Sequence, residues 1–191
     1  MKKNHLILIG IAVAAIVIFL WVKGTYNGMV TEEETATTAL ANVQSAYQRR
    51  ADLIPNLVEV VKGYAAHEKE TFESVVNARA KATSITLDAD NIEEFQKAQG
   101  ELSSALGRLI AVGEAYPELK ANENFRELQV QLEGTENRIN VERNNFNKAV
   151  QTYNVAIRKF PSNLLAGIFG FEKMDKFEAA AGSENAPKVE F

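Results

Sequence analysis

The chain has 191 residues, with 21 basic and 25 acidic side chains and a formal net charge of −4. An acidic balance without a basic stripe argues against nucleic acid as a partner, because such binding depends on neutralised phosphates. The absence of cysteine excludes disulfide bonds and a cysteine-linked lipid anchor.

The amino-terminal region carries an unbroken apolar run over residues 6–22. As a helix the run is about 26 Å long, close to the ~30 Å hydrocarbon core of a bilayer. A cleaved signal peptide is the alternative interpretation, but Trp21, Val22 and Lys23 end the run without the small residues of a cleavage site. We therefore predict a retained single transmembrane helix that contacts membrane lipid.

The flanking charges indicate an orientation for this helix. Lys2 and Lys3 lie in a short flank over residues 1–5, whereas Lys23 begins a predicted juxtamembrane linker over residues 23–30. Because the more basic flank usually stays in the cytoplasm, the bias favours a body on the extracytoplasmic side of the membrane.

Residues 31–80 show the apolar spacing of one long helix. One seven-residue series, broken at Glu68, contains Leu40, Tyr47, Ile54, Val61 and Val75. A companion series, broken at Arg50 and Thr71, contains Val43, Leu57, Tyr64 and Ala78. The repeat predicts a left-handed packing seam along a helix of about 75 Å. Pro55 lies inside it and predicts either a static kink or a hinge that moves.

Two further helices follow a polar turn over residues 83–91. Asp90 and Glu93 form a candidate capping box for the first, and Pro117 marks its end. Its predicted buried stripe comprises Ile92, Phe95, Leu102, Leu106 and Leu109. The second helix, over residues 122–159, carries a seven-residue series of Phe125, Leu132, Ile139, Phe146, Tyr153 and Phe160. We predict an all-α fold, in which the transmembrane helix precedes an antiparallel bundle of long helices over residues 31–178.

The helix lengths suggest an uncovered apolar stripe near the membrane. The later helices measure about 39 and 56 Å, so they would return only to the level of Ile54. The stripe of Leu40, Val43 and Tyr47 would then lack an intrachain partner, and such a stripe usually marks an interface. We predict lateral self-association through it, with Arg50 as a candidate partner-binding cation. A reversal of the chain at Pro55 would also cover the stripe, although one proline seldom reverses a helix.

An apolar, glycine-containing segment over residues 163–171 follows the last long helix. It either caps the end of the bundle or forms a docking segment that inserts into a partner or a lipid surface. Its candidate partner-binding side chains are Leu164, Leu165, Phe169 and Phe171, together with Ile168. Residues 179–191 are expected to form a flexible tail.

No pattern of catalytic or metal-binding residues stands out. His67 lacks the second histidine that a zinc-protease helix needs four residues later. We therefore expect no enzymatic activity, no cofactor and no metal. A ligand-sensing bundle remains an alternative, in which Tyr64, His67 and Tyr116 could line a site.

Four segments resemble the LemA family from the apolar run to about Glu178. They are YNGMV at 26–30, QRRADLIPNLVEVVKGYAAHE at 48–68, EAYPELKAN at 114–122 and YNVAIRKFP at 153–161. The resemblance implies a bacterial, single-pass, helical membrane protein and brings no active-site residues. Together the observations predict a self-associating, membrane-anchored scaffold or adaptor of the bacterial cell envelope that contacts unidentified envelope proteins.

Overall fold

The computed structural model describes residues 2–178, which contain six helices and no strand. The helices are α1 (Lys2–Lys62), α2 (Lys69–Ser84), α3 (Ile92–Ala115), α4 (Pro117–Lys120), α5 (Glu123–Arg158) and α6 (Ser162–Phe169). The predicted all-α fold is confirmed. The tail predicted over residues 179–191 lies outside the described residues.

The first helix is longer at its start and shorter at its end than the sequence suggested. α1 runs for 61 residues without interruption, so residues 23–30, predicted as a linker, are helical. It ends at Lys62, whereas we predicted that helix to continue to residue 80. The chain turns over residues 63–68, where the amides of Gly63 and Ala65 donate to the carbonyls of Glu59 and Val61.

After this turn, α2 runs back along α1, and α3 returns antiparallel to α2. Arg79 on α2 donates from Nε to the carbonyl of Ala51 on α1 at 2.8 Å. Lys81 pairs with Glu101 at 2.7 Å, and Arg108 reaches Ser74 at 3.1 Å. Because residue numbers fall along α2 as they rise along α3, the two helices form a hairpin beside the distal part of α1.

The long α5 then descends along α1 almost to the apolar run. Arg50 pairs with Glu136, and the Tyr153 hydroxyl lies 3.5 Å from an oxygen of Glu33. These contacts place the carboxyl end of α5 near the membrane end of the bundle. Four helices therefore pack together far from the apolar run, whereas mainly α1 and α5 continue towards it.

The predicted buried stripes of α3 and α5 are confirmed with one exception. All five stripe residues of α3 are at most 5% exposed, as are the first five members of the α5 series. Phe160, the sixth member, is 81% exposed because it follows the end of α5. The α3 cap differs from the prediction: Asn91, not Asp90, occupies the N-cap position. Asn122 caps α5 by accepting from the amide of Phe125.

Pro55 lies inside α1, and the helix continues through it, so the chain does not reverse there. Proline cannot donate the usual hydrogen bond to the carbonyl four residues earlier, which is that of Ala51. The Arg79 guanidinium supplies this missing donor. The contact ties the backbone one turn before Pro55 to α2 and favours the static interpretation.

Candidate functional site

The stripe that we expected to be uncovered is buried within the chain. Val43 is 0% and Tyr47 is 6% exposed, while Leu40 is half-buried. The residues that cover the stripe come from the α2–α3 connection, from the start of α3, from α5 and from the segment after α6: Leu87, Ile92, Phe95, Ile139, Phe146, Val150 and Phe177. The prediction of an unpartnered stripe is wrong, because α1 ends at Lys62 and not at residue 80, so the start of α3 reaches the level of Tyr47 and α5 covers the stripe as well.

Arg50 is also internal, at 2% exposure, where α1, α3 and α5 meet. Its guanidinium donates to Gln99 Oε1 at 2.6 Å and to Ser103 Oγ at 3.0 Å, and it pairs with Glu136. It also stacks over the Tyr47 ring at 5.2 Å. The partner that we predicted for Arg50 in another chain is therefore found in its own chain.

The apolar run at the start of α1 has no intrachain cover. Residues 4–20 are all exposed, and α1 is the one described helix that is long and apolar enough to cross a membrane. Trp21 is 41% exposed, and burial begins with the half-buried Val22 and the fully buried Met29. The boundary between the exposed apolar surface and the packed bundle therefore lies between these two residues.

The short helix α6 packs at this boundary. Leu165 and Ala166 are buried against Met29, Tyr153 and Ile157, with Val22 at the edge of the cluster. The Tyr26 ring of α1 contacts the rings of Phe169 and Phe171 edge-on, with centroid distances of 4.9 and 5.6 Å. Part of the predicted docking segment is thus a cap on the membrane end of the bundle.

Some of the predicted docking side chains belong to the cap on the bundle, and others are exposed as a docking segment would require. Leu165 is buried and Phe171 is half-buried, whereas Leu164 is 58% and Phe169 is 48% exposed. Ile168 is 74% exposed. One face of α6 therefore holds the bundle, and the other presents apolar side chains to its surroundings.

A C-terminal strap, residues 171–178, follows Gly170, which has a φ of 77°. Such a φ favours glycine, and here it turns the chain back along α5. Asn154 exchanges two hydrogen bonds with the backbone of Met174, at 2.9 and 3.1 Å, and Asn147 does the same with Phe177, both at 2.9 Å. Side-chain amides thus provide the pairing that a neighbouring strand would give.

Tyr153 ties the strap to both long helices. Its hydroxyl donates to the Glu172 carbonyl at 2.8 Å and lies near Glu33 on α1. Burial raises the pKa of Tyr153 to about 12, and the negative charge of Glu33 acts in the same direction. The sequence offered little sign of this arrangement beyond the apolar Met174 and Phe177 in an otherwise charged segment.

An open cleft of about 930 Å³ lies between the start of α3, the end of α5 and the strap. Charged and amide side chains such as Gln96, Arg158, Lys173 and Asp175 line it. Tyr64, His67 and Tyr116, the residues we considered for a ligand site, do not line it. Asn122 donates to the Tyr64 hydroxyl at 3.0 Å, so this tyrosine links the turn after α1 to the connection before α5 at the distal end of the bundle.

Within residues 2–178, no group of three or more histidine, aspartate or glutamate side chains is placed to hold a metal ion. The described geometry instead consists of a helical bundle, an exposed apolar helix and a capped boundary between them.

Comparison with known proteins places the chain in a family. The LemA family model matches residues 39–191. Magnetosome protein MamQ of Magnetospirillum gryphiswaldense is 32% identical over 82% of this chain and 66% of its own length. Magnetosome protein MamQ 2 of Paramagnetospirillum magneticum is 30% identical over 80% of this chain and 64% of its own length.

The chain thus spans slightly less than two thirds of these magnetosome relatives. Protein LemA of Metamycoplasma hominis is 25% identical over 94% of this chain and 78% of its own length. The match to the family model, over residues 39–191, includes the buried Arg50 and the strap. The chain is a membrane-associated helical protein that belongs to the LemA family.

Proposed function

We propose that this protein is a membrane-anchored scaffold of the bacterial cell envelope, which acts through protein–protein contacts and has no enzymatic activity. One observation carries the proposal: α1 runs unbroken from the exposed apolar run into the core of the bundle. In this proposal residues 6–22 cross the bilayer as a single pass. The bundle then projects at a fixed distance from the membrane and presents its outer surface to other proteins.

The proposed orientation places the bundle on the extracytoplasmic side. Lys2 and Lys3 precede the apolar run, and Lys23 follows it, so the more basic flank would stay in the cytoplasm. Glu32, Glu33 and Glu34 follow on α1, but acidic residues contribute little to this rule. LemA-family membership supports the membrane location but not the side.

Self-association stays a prediction, and it no longer has the stripe of Leu40, Val43 and Tyr47 as its basis. These side chains pack against the start of α3, against α5 and against the strap of the same chain. Contacts with other proteins must therefore use outward-facing residues. Val130 and Val141 on α5 are 67% and 51% exposed, and Val76 on α2 is 55% exposed.

Photocrosslinking in intact cells tests the scaffold directly. A photoreactive residue placed singly at Val130, Val141 or Val76 leaves the core intact, since each position is exposed. We expect discrete adducts with envelope proteins, identified by mass spectrometry, from at least one face of the bundle. A matched photoreactive residue at Ile11, in the apolar run, should give a set of crosslinked adducts that differs from those of the three bundle positions. Absence of protein adducts from every bundle position would contradict the scaffold.

A further inference from the structure

Three apolar side chains form an exposed face along α6 and the residue just before the helix. Phe160 is 81%, Leu164 58% and Ile168 74% exposed. Leu164 and Ile168 lie four residues apart and therefore on one side of α6, and Phe160 is exposed two residues before the helix begins; these three side chains are called the apolar row. Because α6 packs against the bundle through its other face, this row has no intrachain partner among the described residues.

The row lies at the level where the apolar run ends. Tyr26 and Met29, which hold α6, are about 6 and 10 Å beyond Val22 along the axis of α1. A bilayer crossed by residues 6–22 would have its headgroup region at this level. The exposed row of α6 is therefore next to the apolar surface of α1 and not on a distant part of the bundle.

The surrounding side chains match a membrane interface. Trp21 and Tyr26 are partly exposed at the end of the run, the position at which aromatic residues are enriched in membrane proteins. Arg158 and Lys159 are exposed just before the row, and residues 153–171 contain no acidic side chain. Two cations beside an apolar helical face are typical of a helix that binds the surface of an anionic bilayer.

We propose that α6 and Phe160 form a second membrane contact, in which Phe160, Leu164 and Ile168 insert into the lipid interface beside the transmembrane helix. A lipid surface fits better than a protein partner because the row is continuous with the apolar surface of α1. The inference rests on the membrane anchor of the proposed function. It adds that the carboxyl-terminal part of the bundle is attached to the bilayer too.

The absence of cysteine makes the test direct, since one introduced cysteine carries one nitroxide label. Full-length Ile168→Cys and Leu164→Cys proteins are placed in vesicles of phosphatidylcholine and phosphatidylglycerol. Collision of each label with oxygen, which concentrates in lipid, is compared with collision with a water-soluble nickel complex. Val141→Cys is the matched control on the bundle surface, and Ile11→Cys is the control within the apolar run.

We expect the labels at 164 and 168 to be lipid-exposed, at a depth between those of the labels at 11 and 141. A label at 168 as accessible to the nickel complex as the label at 141 would overturn the inference. If the label at 11 is in lipid in the same vesicles, the anchor stands and only the role of α6 fails. If the label at 11 is also in water, the anchor itself fails.

Contact with a second copy is a separate outcome. Spin–spin broadening at 168 that disappears after dilution with unlabelled protein would show that another chain covers the row, and it would overturn lipid insertion. Because both positions are exposed, circular dichroism of the labelled proteins should match that of the unmodified chain.

Discussion

Arg50 is a full charge inside a helical core, and its neighbours decide whether that charge is tolerated. Gln99 and Ser103 accept from the guanidinium, Glu136 supplies the opposite charge, and Nε has no acceptor among the described residues. A buried charge of this kind contributes little net stability, although removing only its counter-ion is costly. The arrangement fixes the relative positions of α1, α3 and α5.

Removal of the two partners should therefore have unequal effects on the free energy of unfolding. Glu136→Gln leaves the guanidinium unpaired and should cost about 2 to 3 kcal/mol, somewhat less than usual because Glu136 is 47% exposed. Arg50→Met should cost less than about 1.5 kcal/mol, because an apolar side chain fills the space without a buried charge. Denaturant unfolding of both variants and the double variant checks this. A larger cost for Arg50→Met would contradict it.

Tyr153 should make stability depend on pH at alkaline values. Its pKa is raised from 10.0 to about 12 because the ring is buried and Glu33 and Glu172 lie nearby. The unfolded chain therefore loses the phenolic proton first, and the stability from this group is lost as pH rises from 10 to about 12. Tyr153→Phe should lack this part of the decline.

Unfolding curves of both proteins at a series of pH values test the expectation. The difference between them should be constant below pH ~9, where the hydroxyl is protonated in both states. A parallel decline of the two proteins above pH 10 would show that Tyr153 does not contribute.

At the scale of the helices, Pro55 and Arg79 form one compensated unit. The proline removes a hydrogen bond to the Ala51 carbonyl, and Arg79 on α2 replaces the donor. Arg79→Met should cost about 1.5 to 2 kcal/mol, because the carbonyl of the buried Ala51 loses its charged partner. In a Pro55→Ala background the helix supplies its own donor, so the same substitution should cost clearly less. Equal costs in both backgrounds, measured by denaturant unfolding, would contradict the coupling.

The contact between α3 and α5 depends on a missing side chain. A Cβ at Gly113 would lie 2.2 Å from Cζ of the buried Phe125. Gly113→Ala should therefore destabilise the protein by about 1 to 3 kcal/mol despite the better helix propensity of alanine. Gly107→Ala in the same helix is the matched control, since nothing lies within 4 Å. It should stabilise by about 0.5 to 1 kcal/mol, and thermal unfolding distinguishes the two variants.

Apolar spacing, together with the polar turn at residues 83–91 and Pro117, predicted the ends of α3 and α5 within about one residue. The same pattern missed the turn at residues 63–68. The sequence did carry a sign of this turn, because the two series are interrupted at Glu68 and Thr71, shortly after Gly63. Val75 lies on α2 but continues the seven-residue series of α1, so the spacing alone could not distinguish one long helix from two helices joined by a turn.

At the scale of the whole molecule, the α1 stripe is covered because of the way the helices pair with one another. Helix lengths gave a stripe without a partner because α1 and α2 were treated as one helix. Spacing identifies apolar faces but does not identify their partners. The strap could not be predicted for a related reason: its pairing with Asn147 and Asn154 is made by side-chain amides that have no periodic pattern.

A substitution in this stripe should now unfold the protein and not dissociate an assembly. Tyr47→Glu places a carboxylate at a position that is 6% exposed, beside the ring of Phe95 at 4.9 Å. We expect loss of the cooperative helical transition in circular dichroism, with Val141→Glu as a folded control at an exposed position. A folded Tyr47→Glu protein with a reduced mass in detergent would restore the stripe as an interface between copies.

The uninterrupted course of α1 also makes the bundle a lever. From Val22 to Lys62 the helix extends about 60 Å, so a tilt of ~20° in the bilayer displaces its far end sideways by roughly 20 Å. Because a segment tilts when it is longer than the lipid layer, the apolar run of about 26 Å would tilt further wherever the hydrocarbon layer is thinner than the run. The thickness of the surrounding lipid would then set how far from the anchor axis the distal turn at residues 63–68 can reach.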